Sequence, residues 1–167
     1  MIMIWQPEIC ILVGLLSILL SSIWRDDLIL PISAVSVLGA LYSLYTISEV
    51  GLSYWSADML ARGGKAIVLL TSGLIILMVY QYLDRKGMSI TLILSAILGS
   101  MVVLSSQDYL LLFLGIELIA IPSYVLCSMS NQSDYASEAG LKYFVMGSLS
   151  TLLFLYGVSL LYMATGS

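Results

Sequence analysis

Three residues in the second half of the chain, Glu117, Pro122 and Lys142, combine types and positions that could do chemistry. Glu117 is flanked by Leu114, Gly115, Ile116, Leu118 and Ile119, nine residues after Asp108. At about 1.5 Å per helical residue, nine residues are about 13 Å, close to the middle of a hydrocarbon layer about 30 Å thick. A charge at that depth costs on the order of 2.5 to 3.5 kcal/mol on insertion scales, so a carboxyl there is protonated, paired or functional. Pro122, five residues on, lacks an N–H and crowds the carbonyl of Leu118, so a kink beside Glu117 would admit water. Lys142 follows Glu138 at a spacing of i and i+4. A carboxyl at mid-depth and a desolvated lysine on the next helix form the pair a proton relay requires, because the charge of one stabilises the ionised form of the other. The plainer alternatives are a protonated Glu117 hydrogen-bonded as interhelical glue, and a Glu138–Lys142 surface pair whose lysine snorkels outward. Asp108 opens its helix and complements the helix dipole.

The elements that hold these residues follow from composition. Of 167 residues, 60% are hydrophobic and 10% are charged, and the mean hydropathy is +1.06. A soluble chain carries about 25% charged residues. The long Leu- and Ile-rich runs lack the alternation of membrane β-strands, so the fold class is all-α, a polytopic transmembrane bundle. Charges cut the chain into six candidate helices at about 9–24, 28–47, 66–83, 88–106, 108–128 and 138–163, in one membrane domain over residues 1–167. The first is short and should begin near Pro7. Residues 48–65, with Glu49, Asp58, Arg62, Lys65, Tyr54 and Trp55, read as an interfacial loop closed by Gly63 and Gly64. Arg25, Arg85 and Lys86 against Arg62 and Lys65 tip the first set of loops toward the matrix or cytoplasm by one charge.

Composition also excludes classes. A net charge of −4 with no basic cluster argues against nucleic acid. There is no histidine, no phosphate loop and no metal-ligand spacing, which argues against haem, zinc and triad chemistry. Cys10 and Cys127 sit in apolar runs and read as small buried hydrophobes. The start of the chain lacks the basic character of a signal or transit peptide, as for a protein made where it is inserted. Membrane lipids are partners on this reading.

Three blocks carry a family resemblance: SQDYLLLFLGIEL from Ser106 to Leu118, PSYVL from Pro122 to Leu126, and SEAGLKYFVMGSLST from Ser137 to Thr151. Together they resemble chain 2, subunit N in bacteria, of NADH:quinone oxidoreductase. The likeness is strongest over residues 84–166 and rests on hydrophobic layout before that. It implies an antiporter-like subunit of the membrane arm of respiratory complex I, which couples NADH oxidation and quinone reduction elsewhere to proton translocation. On that pattern Glu117 looks like the fifth-helix glutamate that partners a membrane lysine, and Lys142 like the lysine of the sixth helix. Members of this family have about fourteen helices. The lysine that partners the glutamate lies beyond Ser167, so the resemblance implies a subunit divided between chains or cut short. It also implies other membrane-arm subunits as partners, one of them supplying the later helices. FMN, iron–sulfur clusters and quinone would sit in other subunits, none in this chain, and any enzyme activity belongs to the complex. The expected location is the mitochondrial inner membrane, or a bacterial inner membrane. A multi-subunit cation/proton antiporter and a non-transporting scaffold are the competing readings.

Overall fold

A computed structural model describes residues 6–21, 28–46, 51–52, 55–56, 58–82, 85–129 and 135–165. Among them are six helices: α1 (Gln6–Ser21), α2 (Ile29–Thr46), α3 (Met59–Val79), α4 (Lys86–Ser105), α5 (Tyr109–Ser128) and α6 (Tyr135–Thr165). A 3-10 turn, Tyr80–Tyr82, extends α3, and a two-residue antiparallel ladder, β1 (Gly51–Leu52) with β2 (Trp55–Ser56), lies between α2 and α3. With α3 taken through its 3-10 turn, Met59–Tyr82, Lys86–Ser105, Tyr109–Ser128 and Tyr135–Thr165 are long and apolar enough to cross a membrane; α1 and α2 are shorter apolar helices. The chain is a multi-pass helical membrane protein.

The helices alternate in direction, shown by facing pairs: Gly14 and Ser36 between α1 and α2, Gly115 and Val103 between α5 and α4, Gly140 and Ser128 between α6 and α5. The starts of α1, α3 and α5 therefore share one face of the bundle, here the upper face, with the ladder. The starts of α2, α4 and α6 share the lower face. Ile11 and Ile18 of α1, Val37 and Ala40 of α2, Leu69 and Ile76 of α3, and Ile90, Leu94, Ile97 and Met101 of α4 form one continuous core. Helix α5 packs on α4, and α6 packs in turn on the outer side of α5.

Close approach explains how α5 attaches. A Cβ on Gly99 would stand 2.9 Å from the Gly115 carbonyl oxygen and 3.0 Å from the Ile119 nitrogen, so only glycine lets the two backbones meet. Apolar side chains gain nothing by leaving lipid for another helix, so small residues that admit such contact drive packing. Hydroxyls in the spans satisfy themselves along their own helix: Ser36 donates to Ser33 O (2.8 Å), Ser72 to Leu69 O (3.0 Å) and Ser123 to Ile119 O (2.7 Å).

Two expectations change. Helix α3 starts at Met59, not near residue 66, so Gly63, Gly64 and Lys65 are helical rather than the end of a loop. Charge had suggested a break, but Arg62 donates to the Leu44 carbonyl at 3.1 Å and Lys65 finds a buried acid, so the helix tolerates both. Helix α6 likewise begins at Tyr135, a turn before Glu138. Of the two free cysteines, Cys10 is half-buried and Cys127 is exposed on the protein, its apolar surroundings being bilayer rather than core.

Replacing Gly99 by Val should lower stability by about 1 to 3 kcal/mol through overpacking against fixed backbone. Gly63→Ala, where an added Cβ meets nothing within 4 Å, should match or exceed the parent. Unfolding of the detergent-solubilised variants compares them; equal loss in both would contradict the proposed contact.

Candidate functional site

Glu117 is placed by two opposed faces of α5. Gly115 turns toward α4; two residues on, at about 100° per residue, Glu117 points about 200° away, toward α6. Its stripe confirms the direction. Phe113, one turn before, stacks with Phe154 of α6 at 6.5 Å between centroids, and Tyr124, two turns after, packs edge-on to Tyr143 (4.8 Å) and Phe144 (5.8 Å). A side chain at Gly147 would collide with the Tyr124 hydroxyl, so α6 is small where that tyrosine lies. Between these contacts Glu117 comes level with the Gly147 to Phe154 stretch, where Thr151 shares the α5-facing side of α6. Thr151 spends its hydroxyl on Gly147 O and Ser148 O, both within α6. Glu117 is half-buried, and no hydrogen bond or ion pair joins it to another described residue. Pro122 lies seven residues from Gly115 on the α4 side, buried, and α5 runs unbroken through it.

Lys142 is not brought to Glu117. It pairs with Glu138 at 2.6 Å, their side chains 73% and 53% exposed. Gly140 faces α5, so Lys142, two residues on, faces away from it. Because Gly140 stands against Ser128, the end of α5, Lys142 sits near the lower membrane boundary. Glu117 and Lys142 are offset along the bundle by about nine residues of α6, or about 13 Å.

Comparison with known proteins bears on this layer directly. A family model described as "NADH:quinone oxidoreductase/Mrp antiporter, TM" matches residues 106–167, which hold α5 and α6. NADH-quinone oxidoreductase subunit N of Paramagnetospirillum magneticum is 35% identical over 173 residues, covering 96% of this chain, and that of Rhodobacter capsulatus is 34% identical with the same coverage. Over nearly all of its length the chain is similar to these subunit N proteins. It spans 36% of the length of these curated relatives. A chain of respiratory complex I from Thermus thermophilus with bound Aureothin superposes with a TM-score of 0.84 at 25% identity, over 96% of this chain and 37% of that one. A chain of the membrane-bound sulfane sulfur reductase, an archaeal respiratory membrane complex, has the same fold, with a TM-score of 0.84 at 22% identity. The subunit N relatives align through α1 to α3 as well, where the sequence offered mainly hydrophobic layout.

Inside that fold stands an ion pair which sequence spacing did not reveal. Lys65 of α3 donates to Glu8 Oε1 of α1 at 2.5 Å, with side chains only 3% and 6% exposed. The Lys65 ammonium also lies 5.0 Å from the centre of the Trp55 ring, and Trp55 is fully buried, bridged through its backbone to Ser106 at the end of α4. Glu8 Oε2 and Ser105 Oγ are buried without a hydrogen-bond partner among the described residues. The pair thus clamps α1 to α3 beneath the ladder on the upper face. Its two members are 57 residues apart, so no local spacing could have signalled it. Tyr124 and Thr151 were also missed, although Tyr124 follows Glu117 by seven residues, the two-turn repeat of a helix face.

Asp108 caps α5, accepting from Leu110 N–H at 3.1 Å and from the Tyr162 hydroxyl of α6 at 2.7 Å. The tyrosine first, and the backbone N–H second, hold its carboxyl below the ordinary value of 3.8. Among the described residues no three His, Cys, Asp or Glu gather as a metal cluster.

Removing one member of the buried clamp leaves the other charge uncompensated, so Lys65→Met should destabilise by about 3 to 5 kcal/mol, and Lys65→Met with Glu8→Leu by far less. Unfolding of both variants decides; equal losses would mean that the pairing is not what matters. A depressed acid stabilises the fold above its ordinary value, and that contribution is lost as pH falls through the folded value. Tyr162→Phe should therefore move protonation of Asp108 to higher pH in isotope-edited infrared titration, and an unmoved midpoint would remove Tyr162 as the cause.

Proposed function

We propose that this chain contributes to proton translocation in the membrane arm of a proton-translocating NADH:quinone oxidoreductase, with Glu117 as the proton-carrying group. One observation carries the reading: a carboxyl near mid-membrane, unpaired among the described residues and turned into the α5–α6 seam, lies in the segment matched by the antiporter family. A group that must gain and lose a proton is poorly served by a permanent partner, and Glu117 has none among the described residues. The work of Lys142 is different. At the lower boundary it is paired with Glu138 and faces the aqueous side, while Tyr124 and Tyr143, with ring centroids 4.8 Å apart, occupy the interval between it and Glu117. Pro122 leaves the Leu118 carbonyl free of its usual helix bond, a polar atom one residue from Glu117.

The remaining assignments go with this reading. NADH oxidation and quinone reduction belong to the assembled complex, whose FMN, iron–sulfur clusters and quinone site are in other subunits. The chain works against other membrane-arm subunits, including one that supplies further helices, in the mitochondrial inner membrane or a bacterial inner membrane. The lower face is the matrix or cytoplasmic side. Arg85, Lys86 and Lys142 lie there, with Arg25 in sequence, whereas on the upper face Lys65 is buried against Glu8 and leaves Arg62. The antiporter in the family description supports a second reading, exchange of a cation for protons without redox chemistry.

In the assembled complex, Glu117→Gln should leave assembly intact on a native gel and reduce NADH-driven proton uptake about a hundredfold, the scale of a lost proton-transfer group. Unchanged pumping would leave a scaffold role. Sodium-dependent flux without NADH oxidation would favour the exchanger.

A further inference from the structure

Helices α2 and α3 meet less closely than their neighbours and leave a groove between them of about 310 Å³. Its lining includes Ser33, Val37 and Leu41 of α2 and Leu69, Gly73 and Leu77 of α3, with almost no polar surface. Along α2 it runs from Leu30 to Leu41, eleven residues or about 16 Å, which is half of a hydrocarbon core about 30 Å thick. It therefore belongs to one leaflet, the lower one, since Leu30 and Leu77 lie toward the lower ends of their helices. A transmembrane helix would need a furrow through both leaflets. The exposed Leu38, Leu70 and Leu74 on its rim leave it open sideways to lipid.

The lower mouth has its own chemistry. Leu69, Gly73, Ile76 and Leu77 form one stripe of α3, and that stripe continues at the i+7 position to Tyr80. Over the Tyr80 ring, 4.6 Å from its centre, lies the Lys86 ammonium. An aromatic ring and a cation at this level are what a membrane–water boundary favours, and basic groups between helices on the cytoplasmic or matrix side recognise lipid phosphate. In sequence the acids Asp26, Asp27 and Asp84 equal in number the bases Arg25, Arg85 and Lys86, so recognition rests on Lys86 locally rather than on net charge.

We propose that the α2–α3 groove is a phospholipid site, holding one acyl chain of a lower-leaflet glycerophospholipid whose phosphate is bound by Lys86. Such a lipid fills the gap that the two helices leave and becomes part of their packing. Gly73 is its floor: an added Cβ meets only Val37 at 3.6 Å, an ordinary contact, so alanine fits, whereas a leucine side chain would occupy the groove.

The test uses the chain in its native complex, placed in nanodiscs of phosphatidylethanolamine and phosphatidylglycerol doped with a phospholipid carrying a diazirine midway along one acyl chain. After illumination, peptide mass spectrometry should find label on Leu38, Leu70 and Leu74 well above that on the exposed Leu152 and Leu153 of α6. Gly73→Ala should keep that label and Gly73→Leu should abolish it. Lys86→Gln should lower it about fivefold, the factor for one lost phosphate contact of about 1 kcal/mol. Should Gly73→Leu fail to fold, Lys86→Gln, at the surface, still decides. Label no higher than on α6, label unchanged in Lys86→Gln, or cross-links from the groove to a protein segment would each overturn the site.

Discussion

Inside a bilayer no water is available to a polar group, so each must find a partner in the protein or be held for a purpose. Every level of this structure answers to that constraint. Serine hydroxyls turn back to carbonyls three or four residues earlier, which lets them lie in the spans without neighbours. Arg62 reaches a carbonyl at the end of α2, and Lys65 reaches Glu8. Beside Glu8 Oε2 and Ser105 Oγ, which are buried without a hydrogen-bond partner, the carboxyl of Glu117 in the α5–α6 seam also has no partner among the described residues.

The same constraint divides the bundle into a closed part and an open part. Helices α1 to α4 bury a continuous aliphatic core and are clamped on the upper face by Glu8, Lys65 and Trp55. That clamp rigidifies more than it stabilises, since a buried pair gains little over well-packed apolar residues. Helices α5 and α6 attach through glycine contacts and aromatic stacking, with most of α6 exposed. The α5–α6 seam is held by the Phe113–Phe154 stack, the edge contacts of Tyr124 and the approach of Gly140 to Ser128. The candidate proton group lies in that seam, and the rigid four-helix part, joined at Gly99 and Gly115, supplies the fixed backbone against which α5 is positioned.

How much of this could be read in the sequence depends on range. The all-α class and six helices follow from apolar length, and Glu117 at mid-helix from counting residues after Asp108. The start of α3 does not follow, because a run of Asp58, Arg62 and Lys65 looks like a loop unless the buried partner of Lys65 is known, and Glu8 is 57 residues away. The facing of side chains fails for a related reason. With apolar residues on all sides of every span, there is no amphipathic contrast to orient a helix; the orientation of α5 comes from Gly115, whose meaning is visible only once Gly99 is seen beside it. The Glu138–Lys142 spacing, by contrast, is local, and the pair forms.

The length of α6 decides what Lys142 can do for Glu117. Thirty-one residues are about 46 Å of helix, some 16 Å more than the hydrocarbon core, so an end of α6 must extend into the interface. Its register against α5, with Gly140 beside Ser128 and Tyr162 beside Asp108, puts the longer overhang at the end that carries Glu138, with Lys142 just inside it. At an offset of about 13 Å and an effective dielectric of about 20, a bare lysine charge would act on Glu117 by only about 1 kcal/mol, against about 4 kcal/mol for a pair at 4 Å. Glu138, 2.6 Å from Lys142, cancels most of even that. Lys142 therefore cannot set the proton affinity of Glu117 while its own ion pair is closed. Any stronger influence requires either that Glu138 be drawn away or protonated, which uncovers the lysine charge, or that a cation from outside this chain approach Glu117 along the open seam. Of the two, only the second brings a charge to within the 4 to 6 Å at which a carboxyl responds by several kcal/mol.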